Sequence, residues 1–352
     1  MNATTTHTGS GADLRPNAAT WQGERLLTYS CALGSLWGRL PQVERRPFML
    51  FPSKGLQDAG GLPAGRVGDA NPYYDVIVRR PDTAVSYEVP LGVVSKRYRL
   101  VQHGELLDGV IQGLRSARVA WESLETDVRV TDLGSRLHFT VHLPEAFRAP
   151  IEEDQLDLTI ECLNSVDRSW AFRVGMGWIR LVCGNGLFVG RVTATLRHPH
   201  IETLHVDRVP ALVANGFKAA EADAAQWRTR AHLTVTTEAL ERWADLTVAS
   251  KWGVFAAARA LHIIRTGADG CFSDPREKAP PSRRAMVSVD AVPGSEPPND
   301  NVYRVGQILA WLANDLGEWG ARLERRRQVP ELLAPLVRAA RVLNTAEPRR
   351  FT

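Results

Sequence analysis

The stretch RLHFTVHL, residues 136–143, decides the fold class expected for this chain. Along it, Leu137, Phe139, Val141 and Leu143 alternate with polar residues. Successive side chains of a β-strand point to opposite faces, so this alternation is typical of a strand with one buried side. The sequence therefore predicts a half-buried strand that carries its polar side chains on one face.

Further strands are predicted on both sides of this stretch. Short apolar or alternating segments separated by turn residues are typical of hairpins in an antiparallel sheet. One helix, predicted at 104–114, interrupts them, because Leu106, Leu107, Val110, Ile111 and Leu114 share one helical face. The predicted strands are 75–80, 84–89, 93–101, 126–131, 156–162, 172–174 and 178–183, within a β-rich core domain that spans residues 75–200.

The chain on either side of this core differs in character. Residues 1–20 are small and polar, which predicts a disordered tail. Residues 21–74 are predicted to form an N-terminal helix at 26–40 and then a connector, and residues 201–352 a helical region with a proline-rich loop at 267–300. The C-terminal helices are predicted at 204–230, 237–250 (capped by Thr236 or Thr237), 252–265 (ended by Gly267), 302–326 and 330–343. The expected fold class is α+β: a mostly antiparallel sheet with a packed helix, followed by a helical C-terminal part.

Composition narrows the classes of protein. The chain has 352 residues, is 44% hydrophobic and contains 10 tryptophans, which argues against a disordered protein. The sequence contains no run of about 18 apolar residues, so no membrane-spanning helix is predicted. No secretory signal is visible either, so a cytoplasmic protein without a membrane partner is expected. Four scattered cysteines are typical of reduced thiols rather than of a disulfide framework.

The net charge of +4 has two explanations. A basic chain favours association with a polyanion such as nucleic acid. However, nearly all of the 43 basic residues are arginine, in a chain rich in alanine and glycine. The codon bias of a GC-rich genome produces the same skew, so charge alone does not identify a partner.

The most coherent candidate site is a basic and aromatic cluster in the β-rich core. Lys96, Arg97 and Arg99 flank Tyr98 there. Arginines interleaved with aromatic rings suit a surface that tracks phosphates and stacks on bases, although a solvated sheet face with core aromatics explains the same pattern. The candidate nucleic-acid-binding residues are Lys96, Arg97, Tyr98, Arg99, Arg173, Trp178, Arg180, Asn185, Arg191, Arg197 and His198.

Familiar catalytic motifs are absent from the sequence. It has no phosphate-binding glycine-rich loop, no HExxH and no GxSxG, so no catalytic residue, metal or cofactor is expected. Two weaker patterns of an enzyme stay open. Cys183 and His198 have the composition of a thiol–imidazole pair. His138 and His142, four residues apart on one strand face, would begin a metal site if a third ligand came from elsewhere.

Three stretches carry a resemblance to a known family. They are SKRYRLVQ at 95–102 with the helix after it, NSVDRS at 164–169, and IRLVCGNG at 179–186 with Arg197 and His198 downstream. Together with the helix around Trp311, they resemble the phage/plasmid-like protein family catalogued as domain of unknown function 932, over roughly residues 85–320. The resemblance implies a mobile genetic element protein without an assigned activity. The sheet-plus-helix core of that family is similar to Red-beta-like and Rad-type single-strand annealing proteins, which is an analogy of fold only.

These observations favour a non-enzymatic protein that binds DNA, preferably single-stranded, and promotes strand annealing in DNA recombination. Self-assembly into a homo-oligomer is compatible with that role. Two hypotheses from other classes stay open. One is a hydrolase or nuclease that uses Cys183 and His198, or a metal at His138 and His142. The other is a counter-defence protein that binds a host protein through its helical C-terminal half.

Overall fold

The computed structural model describes residues 20–21, 24–50, 68–83, 85–144, 149–151, 154–180, 187–188, 194–316 and 319–346. Its sheets and its helical C-terminal part confirm the α+β class. The predicted disordered tail lies outside the described residues, except for Thr20. The chain divides into two compact units, Met1–His142 with Ile160–Gly175 and Thr195–Ala214, and Leu143–Thr159 with Met176–Ala194 and Asn215–Thr352. The predicted domain boundaries stay predictions.

The strands of the described residues lie in three sheets. In chain order they are β1 (Thr20–Trp21), β2 (Glu24–Ala32), β3 (Val43–Leu50), β4 (Asp69–Arg79), β5 (Val89–Ser95), β6 (Glu125–Thr131), β7 (Arg136–His142), β8 (Ala149–Ile151), β9 (Asp154–Ser165), β10 (Phe172–Arg180), β11 (Leu187–Phe188), β12 (Ala194–His198), β13 (Ala268–Phe272) and β14 (Met286–Ala291). The largest sheet has the order β1-β2-β6-β7-β9-β10-β11, with β8 beside β9 and β12 beside β10. The others are β3-β4-β5 and the hairpin β13-β14.

The helices of the described residues are α1 (Leu33–Leu36), α2 (His103–Ser116), α3 (Val209–Ala231), α4 (Thr237–Trp243), α5 (Ala249–Trp252), α6 (Val254–Thr266), α7 (Val302–Asn314) and α8 (Trp319–Ala346). Short 3₁₀ turns lie at Trp37–Arg39, Val206–Arg208 and Pro281–Arg283, and a π-helical turn at Ala244–Val248 joins α4 to α5. Over the described part of the chain, none of these helices combines the length and apolar character that crossing a membrane requires.

Helix α2 confirms the helix predicted at 104–114. Its apolar residues share one face, and Leu106, Leu107, Val110 and Leu114 on that face are inaccessible to solvent. Gly113 lies on the same helix against the first turn of α3, where no side chain would fit. This helix and the turn that precedes it hold one end of the candidate site described below.

Strand β7 is present as predicted, but the expectation of a polar solvent face is wrong. Arg136 is 4% and His138 is 3% exposed, so both faces of the strand are buried there. Both of these buried side chains have a carboxylate partner within the first unit. Arg136 forms an ion pair with Asp167 at 2.8 Å, and His138 Nε2 lies 3.1 Å from a carboxylate oxygen of Glu161. A strand can therefore alternate apolar and polar residues in its sequence although both of its faces are buried, because its polar side chains have hydrogen-bonding partners.

The helix predicted at 26–40 is wrong for most of its length. Residues Glu24–Ala32 form β2, which pairs antiparallel with β6 from Leu26 opposite Thr131 to Ala32 opposite Glu125. Tertiary pairing overrides a local spacing of apolar residues that also suits a helix. The predicted connector at 41–74 is likewise wrong where it is described, because it holds β3 and the start of β4. The expected strand at 84–89 is replaced by β5, which begins at Val89.

The C-terminal helices are confirmed with three corrections. The Thr236 hydroxyl accepts a hydrogen bond from the backbone N–H of Ala239 at the start of α4, and Gly267 ends α6 with a φ of 72°. The loop predicted at 267–300 instead contains the hairpin of β13 and β14. The helix predicted at 302–326 is wrong in its second half, because α7 ends at Asn314 and α8 begins at Trp319. The helix break predicted near Pro330 is also wrong, since Pro330 lies inside α8.

Candidate nucleic-acid interface

The basic segment of residues 96–99 leaves β5 as a turn and presents three cations to solvent. The Lys96 backbone N–H donates to the Tyr73 carbonyl at 2.9 Å, and the Tyr98 N–H donates to the Ser95 carbonyl at 3.0 Å. The side chains of Lys96, Arg97 and Arg99 are exposed, whereas Tyr98 is 6% exposed. The turn thus separates the cations from the aromatic ring that the sequence places among them.

Tyr98 is a core residue, so its predicted role in stacking on bases is wrong. Its hydroxyl donates to the Ser165 carbonyl at 2.9 Å, and its ring stacks on His200 with a centroid separation of 5.2 Å. Burial raises the pKa of its phenol well above the usual value. The ring packs in a cluster with Val43, Ile77, Val94 and Val166. An apolar pocket beneath a turn buries an aromatic ring even when charged residues flank it in the chain.

The exposed cations are anchored by two carboxylates. The Lys96 ammonium and the Arg45 guanidinium both contact Asp75, which is 4% exposed, and Arg45 also donates to the carbonyls of Lys96 and Tyr98. Arg99 pairs with Glu105 at 2.8 Å. Within the described residues, Arg97 has no ion-pair partner. Cations therefore outnumber carboxylates around this turn.

Two exposed tyrosines lie directly beside this turn, and the sequence prediction missed them. Tyr73 and Tyr74 of β4 are 72% and 43% exposed. Tyr73 is hydrogen-bonded to Lys96 through the backbone, and Tyr74 lies opposite Ser95 in the β4–β5 register. Asn71 Oδ1 accepts from the backbone N–H groups of both tyrosines, at 2.9 and 3.1 Å, which holds this part of β4 in place. The pair of adjacent tyrosines is the sequence signal that could have identified this site, but it lies in the segment that was predicted to be a connector.

We call the exposed residues around this turn the tyrosine–cation surface. All of its members lie in the first compact unit. Tyr73 and Tyr74 are consecutive in β4, so their rings point to opposite faces of the strand, and the turn has one exposed ring on each side together with four cations. Aromatic rings and cations are the groups that hold the bases and the backbone of a single strand. Its residues are Arg45, Tyr73, Tyr74, Lys96, Arg97 and Arg99.

The structure brings residues 197–201 to the same turn. The Arg99 N–H donates to the His200 carbonyl at 3.1 Å, and Tyr98 forms an antiparallel bridge with Ile201. Arg197 lies exposed on β12, three residues before His200. His198 is half-buried, with Nδ1 at 2.7 Å from the Pro199 carbonyl and Nε2 at 3.3 Å from the Thr203 hydroxyl. This segment thus extends the basic surface beyond the turn.

The other predicted contacts are not assembled into this surface. Arg173 is half-buried on β10, and Trp178 is 4% exposed, so Trp178 is a core residue and its predicted role in stacking is wrong. Arg180 ends β10, but its side chain is not described. Asn185 and Arg191 lie outside the described residues. The tyrosine–cation surface therefore keeps only three of the predicted residues, Lys96, Arg97 and Arg99.

The enzyme hypotheses gain no support from the described residues. His142 Nε2 lies 2.9 Å from Asp127, whereas His138 contacts Glu161, so each histidine has its own carboxylate. No group of three or more potential metal ligands is found in the described parts of the chain. Cys183 lies outside them, and both ring nitrogens of His198 are engaged. The hypothesis of a host-protein partner is not tested by this fold.

The stretch NSVDRS, residues 164–169, forms hydrogen bonds and an ion pair that stabilise the first unit. Asn164 Nδ2 donates to the Val101 carbonyl and to His103 Nδ1, at 2.9 and 3.0 Å. Ser165 bonds through its hydroxyl to the backbone of Trp170, and Asp167 holds Arg136. This part of the family resemblance thus supports the fold of the first unit, including the start of α2.

Comparison with known proteins identifies one family. The family model described as domain of unknown function (DUF932) matches residues 90–262, which confirms the resemblance seen in the sequence over that part of the chain. No curated protein and no solved structure matches the chain. The match includes Lys96, Arg97 and Arg99, whereas Arg45, Tyr73 and Tyr74 precede it.

Proposed function

We propose, for a chain whose residues 90–262 belong to the DUF932 family, that it binds single-stranded DNA through the tyrosine–cation surface. The observation that carries the proposal is the position of two exposed tyrosines in β4, directly beside a turn of exposed cations. Tyr73 is joined to Lys96 by a backbone hydrogen bond of 2.9 Å, and Arg97 follows immediately. Stacking rings beside cations supply the two interactions that a single strand offers, through its bases and its phosphates.

Phosphate binding is assigned to the cations of this surface. Arg97 is exposed and has no ion-pair partner in the described part of the chain, so it offers a full guanidinium to a phosphate. Lys96 and Arg99 are 43% and 46% exposed in their side chains. The exposed pair of Arg99 with Glu105 contributes only about 0–1 kcal/mol, so a phosphate group competes readily with Glu105 for Arg99. Lys96 contacts the buried Asp75, but its ammonium has three donors, so it donates to a phosphate while it keeps that contact. Binding is therefore expected to weaken as salt increases.

Base stacking is assigned to Tyr73 and Tyr74. Their exposed rings take the role that the sequence gave to Tyr98 and Trp178, which are buried. Every base has a π-face, so stacking tolerates any sequence, but the bases of a duplex already stack on one another. The arrangement therefore favours a single strand over a duplex and predicts little sequence preference.

The proposal extends to a more specific role, in which the chain belongs to a mobile genetic element and promotes strand annealing in DNA recombination. A strand held by its phosphates and by only some of its bases leaves the remaining base edges open to a complementary strand. The family resemblance to phage and plasmid proteins supports such a role, together with a cytoplasmic location where that DNA is exposed. A homo-oligomer would align several such surfaces along one strand.

The test is equilibrium binding of the full chain to a fluorescein-labelled oligothymidine and to a duplex of the same length. Anisotropy titrations are made at salt concentrations between about 50 and 200 mM. The expected result is tighter binding of the single strand, with log K falling linearly with log salt at about 0.7 per phosphate contact. The absence of binding at low salt, or equal affinity for both probes, would overturn the proposal.

A further inference from the structure

A cavity of about 790 Å³ lies in the first compact unit. Its floor is the face of α2 between residues 104 and 112, which runs for about 12 Å at 1.5 Å per residue. One side is formed by the segment 37–43, which leads into β3, and the other by the segment 206–210, where α3 begins. A cavity of this volume, bounded by a helix and two connecting segments, is large enough for a small organic molecule.

The lining combines an aromatic ring with apolar side chains. Trp37 is 46% exposed and stands against α2, where a Cβ on Gly104 would lie 3.3 Å from its ring. Leu40, Pro41 and Val206 add apolar surface to the lining. These groups suit the hydrocarbon part of a ligand, and the face of an exposed indole also attracts a positive charge.

The charges of the lining favour a cation. Asp108 and Asp207 are both exposed, and neither forms an ion pair with a lysine or an arginine in the described part of the chain. The other two charged side chains of the lining each have a partner of opposite sign, Arg80 with Glu44 at 2.7 Å and Glu105 with Arg99 at 2.8 Å. Two carboxylates of the lining are thus left to balance the charge of a ligand.

Trp37 and Asp108 are held together at the side of the cavity. The Trp37 indole N–H donates to Asp108 Oδ1 at 2.8 Å, so the ring and the carboxylate present an aromatic face and a negative charge side by side. A carboxylate has about four lone-pair sites, so Asp108 accepts further hydrogen bonds while it keeps this one. The side chain of Asp207 is 78% exposed and lies 3.5 Å from Nδ1 of the exposed His205, so its carboxylate is open to a ligand as well.

We propose that this cavity binds a linear aliphatic diamine or polyamine. The methylene chain packs on the Trp37 ring and the apolar lining, one ammonium group donates to Asp108 beside the indole, and Asp207 balances the second charge. A charge-assisted hydrogen bond of this type is stronger than one between neutral groups. The cavity contains no residue of the tyrosine–cation surface, so the inference does not depend on the proposed function.

The test uses two matched probes, 1,8-diaminooctane and 1,8-octanediol, titrated into the full chain without DNA and followed by calorimetry at low salt. The probes share one hydrocarbon chain, but only the diamine is charged at neutral pH. The chain has a net charge of +4, which disfavours non-specific attraction of a cation. The expected result is saturable binding of the diamine and at least about tenfold weaker binding of the diol. Equal affinities, or no saturable binding of the diamine, would overturn the inference.

A pair of double variants locates the binding site. Asp108→Asn with Asp207→Asn removes two charges at exposed positions and keeps an amide oxygen for the Trp37 N–H, so the fold is preserved and diamine binding should weaken about tenfold. Glu125→Gln with Glu202→Gln, at two exposed carboxylates that do not line the cavity, is the charge-matched control and should bind as the wild type does.

Circular dichroism confirms that both double variants are folded. Glu105 is left unchanged, because its partner Arg99 belongs to the tyrosine–cation surface. Wild-type affinity in the Asp108 and Asp207 double variant would place the ligand elsewhere. An equal loss in the two double variants would show that the diamine responds to net charge alone, and either result refutes the assignment.

Discussion

Arg99 and His200 are 101 residues apart in the chain and are joined by two hydrogen bonds. The Arg99 N–H donates to the His200 carbonyl, and His200 Nδ1 donates to the Arg99 carbonyl, both at 3.1 Å. A carbonyl oxygen only accepts, so Nδ1 carries the proton of the neutral imidazole. This contact fixes the end of the basic turn and aligns it with the segment that carries Arg197.

Truncation of the exposed tyrosines should weaken binding of single-stranded DNA. Tyr73→Ala and Tyr74→Ala each remove one exposed ring next to the basic turn and should cost about 1–3 kcal/mol of binding free energy per stacked base. Anisotropy titration with labelled oligothymidine measures the loss. Tyr87→Ala is the control, because Tyr87 is 65% exposed but precedes the opposite end of β5. The same loss in this control, or none in Tyr73→Ala and Tyr74→Ala, would rule out the assigned rings.

Neutralising the basic turn should change the salt dependence of binding. The double variant Lys96→Gln with Arg97→Gln removes two phosphate contacts, so the slope of log K against log salt should fall by about 1.4, at about 0.7 per contact. The same titrations on Arg208→Gln with Lys218→Gln, two exposed cations outside the tyrosine–cation surface, provide the charge-matched control. If the two double variants have the same slope, the effect comes from net charge and not from this turn.

Two buried histidines should make the chain less stable in acid. Burial lowers the pKa of His103 and of His200 to about 4. The unfolded chain binds protons at its histidines near pH 6.5, so it binds more protons than the folded chain between pH 6.5 and about 4. The stabilisation of the folded chain by each neutral, buried histidine is complete above pH 6.5 and is lost as the pH falls through this window. Each histidine should lower the free energy of unfolding by about 2 kcal/mol between pH 7.5 and pH 5.

Urea unfolding at the two pH values measures this effect in His103→Gln. The variant should have a difference between the two pH values that is about 2 kcal/mol smaller than in the wild type, whatever its stability at neutral pH. His232→Gln, at an exposed histidine, is the matched control for replacement of a histidine by glutamine. An unchanged pH dependence in His103→Gln would show that His103 does not titrate in this way.

Gly113→Ala should destabilise the first unit. A Cβ at this position would lie 2.5 Å from Val213 Cβ and 2.9 Å from the Pro210 carbonyl oxygen, so α2 and α3 would have to separate. Overpacking of this kind costs about 1–3 kcal/mol of unfolding free energy, measurable by urea titration. Gly38→Ala is the matched control, since a Cβ there meets nothing within 4 Å. A Gly113→Ala chain as stable as the Gly38→Ala chain would show that the helix pair adjusts without strain.

The sequence by itself determined those elements whose signals are local. The apolar residues of α2 recur at helical spacing, the Thr236 hydroxyl caps α4, and Gly267 ends α6 because it adopts a positive φ. The alternation in residues 136–143 likewise defined β7. Each of these features depends on residues within a few positions of one another, so no knowledge of distant partners was needed.

Only the tertiary structure decided which faces are buried and which segments pair. Residues Glu24–Ala32 become a strand because β6 supplies hydrogen bonds about a hundred residues later, and His138 is buried because Glu161 meets it. The same holds for the candidate site. Tyr98 turns into a core cluster, while Tyr73 and Tyr74 stay in solvent beside Lys96. Burial of an aromatic ring depends on what packs against it from elsewhere in the chain, and a single sequence does not contain that information in local form.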